Sequence, residues 1–144
     1  MFKKILVPLD GSPLAEEVLP HAQALAKAEN AEVVFLRVAD VPAREFFGHN
    51  TVMADAITRE ADKESDQYVQ AKVRRMKMTG VIVTGMVRDG PVPETILEVA
   101  DEVHADLIAM STHGRTGLER ILVGSVADKV LHLSHIPVML IHPN

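Results

Sequence analysis

Residues 110 to 127 read MSTHGRTGLERILVGSVA, and this stretch decides the fold. It leaves an apolar run, Asp106 to Met110, that predicts a strand, and enters an apolar-periodic segment that predicts a helix. Between them, small residues at Ser111, Gly114, Gly117, Gly124 and Ser125 let backbone N–H groups approach a bulky anion. The helix that Ser125 is expected to open adds its unpaired N–H groups and the positive end of its dipole. That is phosphate-binding chemistry. Near the N-terminus, Val7-Pro8-Leu9-Asp10-Gly11-Ser12 supplies a second wall.

Working outward, apolar runs of strand length recur at Ile5–Leu9, Val33–Val38, Val81–Val87, Leu107–Met110 and Val138–Ile141. They are rich in Val and Ile and alternate little, as parallel strands covered on both faces do. Helical stripes lie between them: Ala15, Val18, Leu19, Ala22, Leu25 and Ala26; then Ile96, Leu97, Ala100 and Val103; then Val126, Val130, Leu131 and Leu133. Residues 53 to 78 predict a long, charged helix with a thin stripe (Ile57, Ala61, Tyr68, Ala71) lying across the surface. Pro20 falls inside the first helical pattern and predicts a kink, not a break. The stretch from Ala39 to Thr51 predicts a flexible loop able to close over a ligand. Strand–helix alternation of this kind implies right-handed crossovers and an open α/β sheet.

Composition narrows the function. At 144 residues the length fits one domain, which buries roughly two-thirds of its unfolded surface. A formal net charge of −5 and only 3% aromatic residues argue against a basic, base-stacking nucleic-acid surface. With no cysteine there are no disulfides, thiolate metal sites or cysteine nucleophiles, which is consistent with the cytoplasm. The apolar run from Phe2 stops at Asp10, too short for a signal-peptide core or a membrane span.

The two walls together resemble those of the universal stress protein family. The family pattern G-x2-G-x9-G-[S/T] is matched by Ser111, Gly114, Gly124 and Ser125, with Ser111 where nucleotide-binding members often carry Gly. The resemblance extends to the D-G-P-V-P-E turn at Asp89 to Glu94 and to the closing I-P-V-M-L-I strand. It implies a Rossmann-like, five-stranded parallel sheet in the order 3-2-1-4-5. The switch point of that order lies between strands 1 and 4, where open α/β sheets bind ligands at the strands' carboxyl ends. Both motifs follow those two strands.

The phosphate candidates are Gly114, Gly124 and Ser125, with backbone N–H groups of Gly114, Arg115, Ser125, Val126 and Ala127 as donors. Ser125-Val-Ala-Asp128 also reads as a capping box in which Ser125 caps its own helix. Asp128 disfavours an anion unless its carboxylate points aside. Asp10 can accept hydrogen bonds from an adenine amino group or a ribose hydroxyl, or it can cap the helix after Gly11-Ser12. The resemblance implies that Val38 offers its backbone to adenine and that Pro8 packs on the ring; Ser12, Met110 and Ser111 complete the candidate set. Arg115 and His113 are candidate phosphate contacts, Arg115 the better because its charge is permanent. His132 and His135 have a metal-like i, i+3 spacing but lack a third ligand, which makes surface residues of them.

No P-loop, no G-x-S-x-G elbow and no general base paired with a nucleophile occurs, so a binding protein is favoured over an enzyme. The expected function is that of a cytoplasmic stress-response regulator that binds ATP, with Mg2+ bridging the phosphates, and acts on an unidentified client protein. Neither a nucleic-acid nor a membrane partner is expected. The alternatives are a nucleotide-independent dimeric interaction module, motivated by Ser111 and Ala127, and a slow ATPase. A homodimer is expected through residues 137–142, an apolar edge strand without Lys, and the resemblance implies the same.

Overall fold

The computed structural model describes residues 1–39, 51–113 and 123–143 and shows five strands in the order β3-β2-β1-β4-β5. In chain order the elements are β1 (Lys4–Leu9), α1 (Pro13–Glu16), α2 (Val18–Glu29), β2 (Glu32–Ala39), α3 (Thr51–Lys77) and β3 (Val83–Asp89). There follow α4 (Val92–Glu102), β4 (Leu107–Ser111), α5 (Ser125–Leu133) and β5 (Val138–Ile141). Every pairing is parallel: Ile5 sits opposite Val33 of β2 on one side and Leu107 of β4 on the other. The expected sheet order is the observed one.

Strand periodicity divides the core in two. Ile5, Val7 and Leu9 of β1 and Val33 and Phe35 of β2 face Val18, Ala22 and Ala26 of α2 and Val69, Val73 and Met76 of α3. Leu6, Leu36, Val38, Ile108 and Met110 face Ile96, Val99 and Ala100 of α4 and Ala127 and Val130 of α5. Strands buried on both faces lose their polar/apolar alternation, which is why these runs read as continuous.

Four details depart from the sequence reading. The hydrogen-bond ladder of the first helix is interrupted at Glu17, since Pro20 has no N–H to offer the carbonyl of Glu16. Glu17 itself stays helical (φ −65°, ψ −16°), so the apolar stripe keeps its phase beyond it. The third strand begins at Val83, not Val81, and runs on to Asp89, because the pairing with β2 extends from Val33↔Val83 to Ala39↔Asp89.

The long helix buries Ala54, Ser65, Val69, Val73 and Met76, while Ile57 of the expected stripe is 38% exposed. The reason lies in β3: an added Cβ at Gly85 would stand 2.3 Å from Val69 Cγ1, so the bare strand admits the Val69–Val73 edge of α3. On α5, Ala127 and Val130 carry the burial, and Leu131 and Leu133 are exposed. The loop expected between Ala39 and Thr51 lies outside the described residues, apart from its ends in β2 and α3.

Candidate functional site

Parallel strands deliver their carboxyl ends to one edge of the sheet, and there a cavity of about 540 Å³ opens. Pro8, Leu9 and Asp10 line it from β1, Leu36 to Ala39 from β2, Met110 to His113 from β4, and Gly124 to Ala127 from the start of α5. The volume is that of a small-molecule site. Of the sequence candidates, Pro8, Asp10, Val38, Met110, Ser111, Gly124, Ser125, Val126 and Ala127 all converge on it. Gly114 and Arg115, with Gly117, lie outside the described residues.

The N-terminus of α5 is built differently from the expected capping box. Gly124, in extended conformation (φ −66°, ψ 160°), is the N-cap, and Ser125 is the first helical residue, with an exposed side chain. Gly124 has no side chain with which to cap, and the first-turn amides of Ser125, Val126 and Ala127 have no acceptor within the helix ladder. The Asp128 carboxylate lies 3.4 Å from His132 Nδ1 on the outer face of the helix. It therefore points aside, and Asp128 does not oppose the helix dipole where it meets the cavity.

Ser12 and Ser111 serve the scaffold. Ser12 Oγ accepts from the Ala15 amide (3.1 Å) and donates to Asp10 Oδ1 (2.6 Å), so Ser12 caps α1 and does not line the cavity. Asp10 is thus no helix cap: it accepts from the Ser12 amide at 2.9 Å and fixes the turn that presents α1. Buried Ser111 donates its hydroxyl to the carbonyls of Leu14 (2.8 Å) and Ala15 (3.3 Å), tying β4 to α1. Its hydroxyl proton is thereby used within the scaffold, although Ser111 lines the cavity.

Several lining residues escaped the sequence reading. Arg37 lies with its guanidinium 5.2 Å from the Tyr68 ring centroid. A Cβ on Gly11 would come within 2.4 Å of its Nη1. Tyr68 donates to Glu16 Oε2 (2.9 Å), as does Lys72 to Oε1, and this bond joins α3 to α1 beneath the cavity. Burial and the Glu16 carboxylate push the Tyr68 phenol well above its usual range, so it stays a donor. A single Arg in the apolar run E-V-V-F-L-R-V-A was the available signal for Arg37. Ala61, Glu64 and Ser65 of α3 and Val92 and Ile96 of α4 complete the walls, and the sequence carried no comparable mark for them.

Beside the α5 terminus, buried Thr112 Oγ1 lies 3.0 Å from His113 Nδ1 and 3.3 Å from His142 Nδ1. A hydroxyl has one proton and two lone pairs, so at most one imidazole accepts from it, and an imidazole that does not accept donates its Nδ1–H. This arrangement holds His113 at the cavity and links it to the end of β5.

Comparison with known proteins agrees with this geometry. A universal stress protein of Methanocaldococcus jannaschii, MJ0531, is 39% identical over 142 residues, covering 98% of this chain and 82% of its own. A second from that organism, MJ0577, is 29% identical over 154 residues, covering 98% of this chain and 95% of its own. The solved MJ0577 structure superposes with a TM-score of 0.88 over 100% of this chain and 98% of that one. An Arabidopsis thaliana family protein solved with AMP bound shares the fold at 15% identity, with a TM-score of 0.69 over 99% of this chain and 92% of that one. The family model for universal stress proteins matches residues 1–142. With that match added to the sheet order and the crevice, the chain belongs to the universal stress protein family.

Proposed function

We propose that the protein binds an adenine nucleotide, ATP, at the carboxyl ends of β1 and β4, and acts as a stress-response regulator through binding, not turnover. The observation that carries this reading is the opening of the uncapped α5 terminus into a cavity of about 540 Å³. First-turn amides and the helix dipole are suited to a phosphate chain. The apolar side chains of Pro8, Val38, Ile96 and Met110 are suited to a base. That a relative of the same fold was solved with AMP bound supports the ligand class. Mg2+ would bridge phosphate oxygens and supply positive charge in a chain of net charge −5.

Among the described residues no helix is long and apolar enough to cross a membrane, and we place the protein in the cytoplasm. A homodimer through β5 belongs to the same reading, because Val138, Met139, Leu140 and Ile141 are all only half-buried on an edge strand. An unidentified client protein completes it. Denaturing the purified protein and identifying by mass what it releases tests the ligand. Release of an adenine nucleotide is expected; stoichiometric release of a different small molecule contradicts the proposal.

A further inference from the structure

Ser65 is the one polar lining residue on α3 that is almost wholly buried, at 3% exposure. Its hydroxyl makes no hydrogen bond to the described residues, and its oxygen still reaches the cavity, since Asp62 Oδ1 is the one described side-chain atom both sealed from solvent and unpartnered. Helical Ser and Thr hydroxyls usually return to the carbonyl one turn back, and Thr58 on the same helix does so, donating to the Ala54 carbonyl at 2.9 Å. Ser65 does not. The hydroxyl is therefore free to meet a group that enters the cavity, in place of the solvent that reaches it there.

The position of Ser65 indicates which group. α3 packs on β2 and β3, whereas α5 packs beside β4 and β5, so the two elements stand across β1 from each other. Two strand spacings separate β4 from β2, roughly 10 Å, which suits a nucleoside lying across the strand ends. With phosphates at the α5 amides, the end of the ligand that reaches α3 is the uncharged one. The wall there carries the carboxylates of Asp10 and Glu64, both acceptors, while the Arg37 guanidinium is held over Tyr68. With two carboxylates to one guanidinium, such a wall suits N–H and O–H donors better than phosphate.

Resting on the nucleotide reading above, we infer that Ser65 is a ligand-contacting residue, whose hydroxyl accepts a hydrogen bond from the base amino group or a ribose hydroxyl of the bound nucleotide. It thereby fixes which way round the ligand lies.

The test is Ser65→Ala, read without and with ligand. Without ligand the variant should melt at or above the wild-type temperature, because alanine favours helix and no internal hydrogen bond is lost. With ATP its affinity should fall roughly 3- to 10-fold, the worth of one hydrogen bond. That loss should vanish with one of three analogues, 2′-deoxy-ATP, 3′-deoxy-ATP or purine riboside triphosphate, which lack the 2′-hydroxyl, the 3′-hydroxyl and the amino group respectively. A lower melting temperature without ligand, an unchanged ATP affinity, or a loss that persists with all three analogues overturns the inference. Wild-type protein that binds neither ATP, ADP nor AMP overturns the nucleotide reading itself, and this inference with it.

Discussion

The Gly124 amide donates to the carbonyl of Thr112 at 2.6 Å, which fastens the start of α5 to the end of β4. An added Cβ at Gly124 would stand 2.7 Å from that same oxygen. Glycine is therefore required by a backbone contact inside the protein, before any phosphate is considered. Through this one contact the position of the α5 dipole follows the strand that lines the crevice.

Gly124→Ala should accordingly displace the helix start as well as weaken ligand binding. A loss of roughly 1–3 kcal/mol in stability is expected from overpacking against backbone, read by urea denaturation without ligand. A variant as stable as wild type would show that the contact can relax freely.

Gly85→Ala tests the seating of α3. Its Cβ would meet Val69 Cγ1 at 2.3 Å and Val73 Cγ2 at 3.0 Å, so the helix must lift from β3. We expect a loss of roughly 1–3 kcal/mol, since neither β-branched side chain has another rotamer readily available in a helix. An unchanged denaturation midpoint would contradict the packing described.

Those two glycines also show what the sequence can and cannot convey. Gly124 announces itself, because it stands in a spaced motif after a strand; the strands follow from the apolar runs, and their order from the family resemblance. Gly85 sits in an apolar run with nothing to mark it, yet it decides which face of α3 is buried. The expected stripe through Ile57 and Tyr68 missed because α3 is seated by a hole in the sheet and not by its own most apolar edge. Capping roles were likewise exchanged: Ser12 caps α1 where Asp10 was a candidate, and Gly124 displaces Ser125 from the cap of α5. In each case adjacent residues could all supply the local chemistry, and tertiary contacts chose among them.

Asp89 at the end of β3 gives a pH dependence. Burial, and then the neighbouring Asp62, raise its carboxyl above the ordinary carboxylate value, and Asp62 Oδ1 is buried without a hydrogen-bond partner. A raised folded-state value means the native protein binds the proton more tightly than the unfolded chain. This site then favours folding at pH below the unfolded carboxyl value, and the advantage is lost as pH rises through the folded one. Asp89→Asn should therefore stabilise the protein at pH 7, with the gain shrinking towards pH 4. Thermal melts across that range check it; a gain that grows on acidification would contradict the assignment.

Assembly is tested at the edge strand. Met139 pairs in register with Ala109 of β4, while the far side of β5 has no strand neighbour among the described residues. Met139→Lys places a charge on that edge and should convert the dimer to monomer, whereas Arg75→Glu on the exposed face of α3 should not. Light scattering at tens of micromolar, on the order of a moderate dissociation constant, reads both. Wild-type protein found monomeric there would contradict the dimer.

The central claim is that the α5 terminus and the strand ends form one adenine-nucleotide site. Calorimetric titration of the wild-type protein with ATP in the presence of Mg2+ tests it most directly. The account predicts saturable binding, weakened in Gly124→Ala. Absence of binding heat at several temperatures, with ATP, ADP and AMP each at millimolar concentration, would contradict it.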